Sequence, residues 1–236
     1  MRSLTAICLL AACVVTAEAQ VKQPGVYYDA ATGLTMRYPV ELVVRDDPQK
    51  SIDEGHVAAY GSMQNEAKEH RLATKCMKPI LLADLPGGSS EGSQRTGAST
   101  ATLLMFEFIA SKECKAGFKY KDNEAVAGGV AQTAIQLPGV TPLSQPLWFD
   151  FGKQKLHATF AAVGLQNTSP EQPHWLILTA AMLYHGHILG WILKADWLNT
   201  FNDLTKTSIE LDDGKAYPLV PFNLDDHLQL PINVVK

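Results

Sequence analysis

The chain has 236 residues and a formal net charge of −4, with Lys and Arg scattered rather than gathered into a patch. Nucleic-acid binding therefore has no electrostatic support. The length suits one domain with a sizeable core or two small ones, and no repeat of solenoid period is visible.

The first 19 residues read as a signal peptide. Arg2 supplies the positive start, Leu4–Thr16 the apolar stretch, and Ala17-Glu18-Ala19 a small-x-small cleavage site before Gln20. Leu10-Ala11-Ala12-Cys13 also has the residue order of a lipobox, so a lipoprotein anchored at Cys13 is the alternative. Ordinary export, to the periplasm or the medium, is favoured because the apolar stretch then keeps its usual length of about 7–15 residues. Residues 20–32 read as an exposed lead-in, 33–214 as a single domain, and 215–236 as an extended tail broken by Pro218, Pro221 and Pro231.

Within the domain, Leu34, Met36 and Tyr38 alternate with Thr35 and Arg37, which predicts a half-buried strand ended by Pro39. Leu42–Val44 continues as a short strand, and Asp46-Asp47-Pro48 reads as a helix start. The polar stretch from Gln49 to Thr74 predicts a surface helix, weakened by Gly55 and Gly61. Cys76–Leu85 and Leu103–Ile109 are apolar runs joined by a Gly/Ser-rich loop over 86–99, and so read as neighbouring strands. That pairing would bring Cys76 and Cys114 together. As the only cysteines left after signal removal, they are a disulfide candidate in an oxidising compartment. Asp122 and Asn123 could cap a helix running to Gln136, whose Gly128-Gly129 pair suggests close packing or a kink. Leu147–Phe151 and Leu156–Val163 predict a hairpin across Gly152-Lys153. Asn167-Thr168-Ser169 is formally a glycosylation sequon, of little weight behind what reads as a bacterial export signal.

The most apolar stretch of the mature chain is His174–Leu211. Trp175–Leu193 is long enough to raise the question of a membrane span. His185-Gly186-His187 in its middle and the lack of flanking Lys and Arg argue against one. A hairpin fits better, with strands Leu176–Tyr184 and Ile188–Ala195 and a turn at His185-Gly186. Both faces of its first strand are apolar, which places it mid-sheet and demands cover on two sides, by helices, by another sheet, or by both. Asp196 suits an N-cap, with Trp197, Phe201 and Leu204 laying a helix on the sheet before a short strand at Ser208–Leu211. Together these elements predict an α+β fold, a mainly antiparallel sheet flanked by helices in an α/β/α sandwich.

Gly33-Leu-Thr-Met-Arg-Tyr-Pro39 looks like the glycine, alternating strand and Tyr-Pro opening of the PsbP-like superfamily. Gly190-Trp191, Phe201-Asn202 and Thr207-Ser208-Ile209-Glu210-Leu211 are similar to its final strand, helix and strand. The resemblance implies an antiparallel sheet sandwiched by helices and a non-enzymatic binding or assembly role. It carries over no functional residue.

Chemistry leaves few candidates. His185 and His187 are two apart and would share a face in an extended segment; with His157 or His174 nearby they are weak candidates for a metal site. Without a third ligand, turn residues are the better reading, so no metal and no cofactor is assigned. Ser62 and Ser89-Ser90 lack the Gly-x-Ser-x-Gly elbow of a hydrolase. Asp46/Asp47 and Asp212/Asp213 sit at element ends, where caps and turns use them. No catalytic residue is assigned. The sequence points to an exported, non-catalytic binding or assembly module for an envelope protein or a small ligand, with no membrane span in the mature chain and its oligomeric state open. The alternative is a hydrolase or metal-dependent enzyme with an unrecognised site.

Overall fold

The computed structural model describes residues 24–51, 75–86, 99–133, 140–163, 175–195, 201 and 203–220. The signal peptide with Cys13, most of the helix expected over 49–74, residues 87–98 of the Gly/Ser-rich loop, the end of the helix expected to reach Gln136, the sequon, His174 and the tail from 221 lie outside them. In chain order the strands are β1 (Val26–Asp29), β2 (Leu34–Arg37), β3 (Val43–Val44), β4 (Met77–Pro86) and β5 (Ser99–Phe108). Helix α1 (Asn123–Ala131) follows, then β6 (Val140–Pro142), β7 (Leu147–Phe151), β8 (Gln154–Val163), β9 (Trp175–Tyr184), β10 (His187–Ala195), β11 (Ser208–Glu210) and β12 (Ala216–Pro218).

The apolar runs assemble one eight-stranded antiparallel sheet in the order β3-β4-β5-β10-β9-β8-β6, with β7 also on β8. The β9–β10 hairpin lies at its centre, as two-sided apolar alternation requires. His185 and Gly186 form its turn at φ 50° and 84°. Two consecutive positive φ values are the demand of the hairpin turn whose twist matches the strands. The β7–β8 hairpin and the β4–β5 pairing also form where the apolar runs place them.

Alternation along β10 sends Leu189, Trp191 and Leu193 to one face and Ile188 and Gly190 to the other. The first face carries the larger core, where these residues meet Leu34 and Met36 of β2, Ile209 of β11, Phe201 and Leu204. Complete burial of such a side chain stabilises the fold by roughly 1.5–3 kcal/mol. The second face carries a smaller core, in which Phe106, Phe108, Ala181 and Ile188 meet Val126, Ala127 and Val130 of α1. Asp122 caps α1 by accepting a hydrogen bond from the Ala125 N–H at 2.9 Å. Gly128 faces the His157 ring and Gly129 the Phe118 ring, so the glycine pair lets the helix lie close on both neighbours.

The fold class is therefore corrected. The chain is β-rich, not an α+β sandwich with helices on both sides of the sheet. A second antiparallel sheet, ordered β1-β2-β11-β12, covers the face expected to be under helices. Its outer strands come from segments read as lead-in and tail: β1 pairs with β2, and β12 pairs with β11. Of the helix expected after Asp196, Phe201, Asp203 and Leu204 are helical, and residues 196–200 and 202 lie outside the described ones. The physical cause is simple. A two-sided apolar strand demands cover, and either a helix or a sheet with one apolar face can supply it. Short strands such as β1 and β12 carry too little alternation to announce themselves.

Cys76 and Cys114 are joined, with a Cα–Cα distance of 5.6 Å. The disulfide ties the start of β4 to the loop before α1. Among the described residues, no helix is long and apolar enough to cross a membrane.

Candidate functional site

The two sheets part at one end and leave an open mouth. Pro39 ends β2 because it has no N–H to give to the ladder. The chain then turns, with the Leu42 N–H donating to the Pro39 carbonyl at 3.1 Å. This turn drives Leu42 inward and Val40 outward, the latter 64% exposed. Across the gap, a helical turn is held by the Thr205 N–H on the Phe201 carbonyl and the Thr207 N–H on the Leu204 carbonyl. Between the two turns lies a cavity of about 480 Å³, within the range of small-molecule sites. Its floor is apolar: Leu42, Leu85 at the end of β4, Ala101 on β5, and Leu204. Arg37, Tyr38, Glu41, Asp203 and Lys206 stand around it.

Both cations of this rim already have a partner. Lys206 Nζ lies 2.6 Å from Asp203 Oδ1 and Arg37 Nη2 lies 3.3 Å from Glu210 Oε2. The hydrogen bond to Asp203 raises the Lys206 pKa, with Glu41 adding to the same effect. Burial raises that of the Tyr38 phenol, so it stays protonated. No motif marks this constellation, because its residues come from four separate segments. The strand-ending Pro39 followed by an exposed valine was the only local hint.

The histidines sit at the far end of the hairpin and are turned to separate carboxylates. His185 Nε2 lies 2.6 Å from Asp212 Oδ2, and its ring stacks on Tyr184 with centroids 4.1 Å apart. His187 Nδ1 lies 2.6 Å from Glu107 Oε1. His157 is drawn to α1 instead, with Nε2 2.8 Å from Glu124 Oε1. The structure thus does not converge His157, His185 and His187 on one point. Among the described residues, no three His, Cys, Asp or Glu side chains gather in a way that could hold a metal ion. Asp212 also accepts from the Tyr184 hydroxyl at 2.8 Å. That bond, then the one with His185, holds its carboxyl below the usual range. Asp213 is used in the same turn, where Tyr217 Oη and the Lys215 N–H donate to it. Asp47 accepts from the Lys50 N–H at a helix start. Asp47 and Asp213 therefore serve a cap and a turn, as their places at element ends suggest, while Asp212 ties its turn to the β9–β10 hairpin.

A further polar cluster lies on the outer face of the main sheet. Buried Asp84 accepts from Arg45 Nε at 2.7 Å and from the Thr102 hydroxyl at 3.0 Å. Lys194 Nζ stands 3.8 Å from the centre of the Trp175 ring. Burial lowers the Lys194 pKa, against the opposing pull of Asp84. Every member of this cluster has a partner.

No protein-family model matches the chain, and the comparison with curated proteins finds no match.

Proposed function

We propose that the chain is an exported binding module that holds a small ligand in the mouth between its two sheets and performs no chemistry on it. One observation carries this reading: the cavity of about 480 Å³ with an apolar floor and a charged rim. Concave, mostly apolar sites with a few polar groups are where proteins hold small molecules. Binding is favoured over hydrolysis or metal chemistry because the histidines and carboxylates at the other end are consumed in pairs that join strands. Export to the periplasm or the medium is part of the proposal. Its supports are the targeting segment read from the sequence and the Cys76–Cys114 disulfide, which oxidising compartments permit. Kinship with PsbP-like proteins enters only for the two similar segments, which lie side by side as β2 and β11. The helix-flanked sheet of that family is not carried with it.

Thermal unfolding of the mature protein against a panel of small amphiphiles tests the reading. A ligand at about 100 times its Kd stabilises by about 2.7 kcal/mol and raises Tm by several degrees. Val40→Trp, at an exposed position, narrows the mouth without entering the core and should abolish that rise. A Tm that no amphiphile moves, or a shift that Val40→Trp leaves intact, sinks the binding reading. The intact mass of the exported protein settles the processing site: ordinary export starts the chain at Gln20, and acylation at Cys13 replaces this proposal with an anchored lipoprotein.

A further inference from the structure

Among the described residues, the charge at the mouth that no hydrogen bond engages is negative. Arg37 and Lys206 are each engaged by a carboxylate, from Glu210 and Asp203. Glu41 lines the same cavity, is exposed, and accepts no hydrogen bond from any described residue. It does feel Lys206, but that ammonium is hydrogen-bonded to Asp203 at 2.6 Å. A ligand bringing a carboxylate would have to share these exposed cations with Asp203 or Glu210, which already neutralise them, and would then face Glu41. A ligand bringing an ammonium displaces nothing and finds in Glu41 a carboxylate that no described residue hydrogen-bonds.

Resting on the cavity reading above, we infer that the site selects a small organic cation, an amine or quaternary ammonium with an apolar body. The apolar body lies on Leu42, Leu85, Ala101 and Leu204, and burial of its surface supplies most of the affinity. The ammonium sits at Glu41. An exposed pair of this kind adds little in free energy and gives its effect as selectivity, weakened by salt.

Isothermal titration of the mature protein with decyltrimethylammonium, decanol and decanoate, each below its micelle concentration, reads this directly. The cation is expected to bind about two- to five-fold more tightly than decanol, and decanoate more weakly than both. Glu41→Gln should bring the cation to the level of decanol and leave decanol unchanged. The position is exposed, so the variant should keep its fold, checked by its Tm. Equal binding of all three probes, tighter binding of decanoate, or an unchanged cation affinity in Glu41→Gln overturns the inference while leaving the cavity reading intact. If none of the three binds, and Val40→Trp changes nothing, the cavity reading and this inference fall together.

Discussion

Gly190 has no side chain because Phe106 occupies the space one would fill. A Cβ there would lie 2.4 Å from the ring on the neighbouring strand, with both residues on the face covered by α1. Gly190→Ala must push the ring aside, and overpacking of this kind costs about 1–3 kcal/mol. Urea denaturation should show that loss, and Phe106→Leu added to it should cost less than the sum of the two single changes. Strict additivity would show that the ring is not what forbids the methyl group. His185 is constrained in another way, by its φ of 50° in the turn. Asn tolerates that conformation and β-branched residues do not. His185→Val should therefore lower stability by about 1–2 kcal/mol more than His185→Asn, since both lose the Asp212 bond and only valine meets the backbone clash. Equal midpoints for the two variants would mean that the Asp212 contact, not the backbone, determines the residue here.

At the scale of elements, α1 and the disulfide act as one cover for the smaller core. Cys76 and Cys114 are themselves buried in it, and Phe118 sets the edge of its ring against Phe108, 5.6 Å away, while lying over Gly129. The bridge closes a loop of 38 residues, for which chain entropy gives about 4 kcal/mol. Replacing both cysteines by serine should lower the free energy of unfolding by about that amount, and chelation without reduction should have no effect. A loss under 1 kcal/mol would mean that native strain offsets the entropy gained. The hairpins and the Cys76–Cys114 pairing were legible in the sequence because each rests on a local signal: alternation along β9, a turn at His185-Gly186, a Gly/Ser-rich loop between two apolar runs. The cover over the β2 side was not legible. Leu34 and Met36 revealed that β2 has a buried face, but nothing in Val26–Asp29 or Ala216–Pro218 revealed that these segments would extend it into a sheet. The mouth was less legible still. Glu41, Ala101 and Lys206 become neighbours only once two layers pack, and none of them is an unusual residue where it stands in the sequence.

For the whole molecule, the question is what holds the small sheet onto the large one besides apolar contact. Two tyrosines do so with hydrogen bonds. Tyr27 on β1 donates to the Ile80 carbonyl on β4 at 3.2 Å, and Tyr184 on β9 donates to Asp212, between β11 and β12, at 2.8 Å. Burial, followed by the field of Asp29, pushes Tyr27 up to about 12. Burial, followed by the bond to Asp212, pushes Tyr184 up to about 12 as well. A phenol whose pKa is raised on folding contributes stability that is complete below its unfolded value of about 10 and is lost as pH climbs through its folded value. Lys194 acts in the opposite sense. Burial lowers its pKa, so its contribution to stability improves as pH approaches the ordinary lysine value. The two effects separate by comparing the wild type with Tyr27→Phe/Tyr184→Phe, in which the Lys194 contribution is common and cancels. At pH 8 the wild type should be the more stable by about 1–3 kcal/mol, the worth of two buried hydrogen bonds. Between pH 10 and 12 that margin should shrink to nothing, because the tyrosines of the unfolded chain ionise there while the folded phenols, held up to about 12, keep their protons. Urea midpoints that stay parallel from pH 8 to 12 would show that the tyrosine contacts are incidental to holding the layers together.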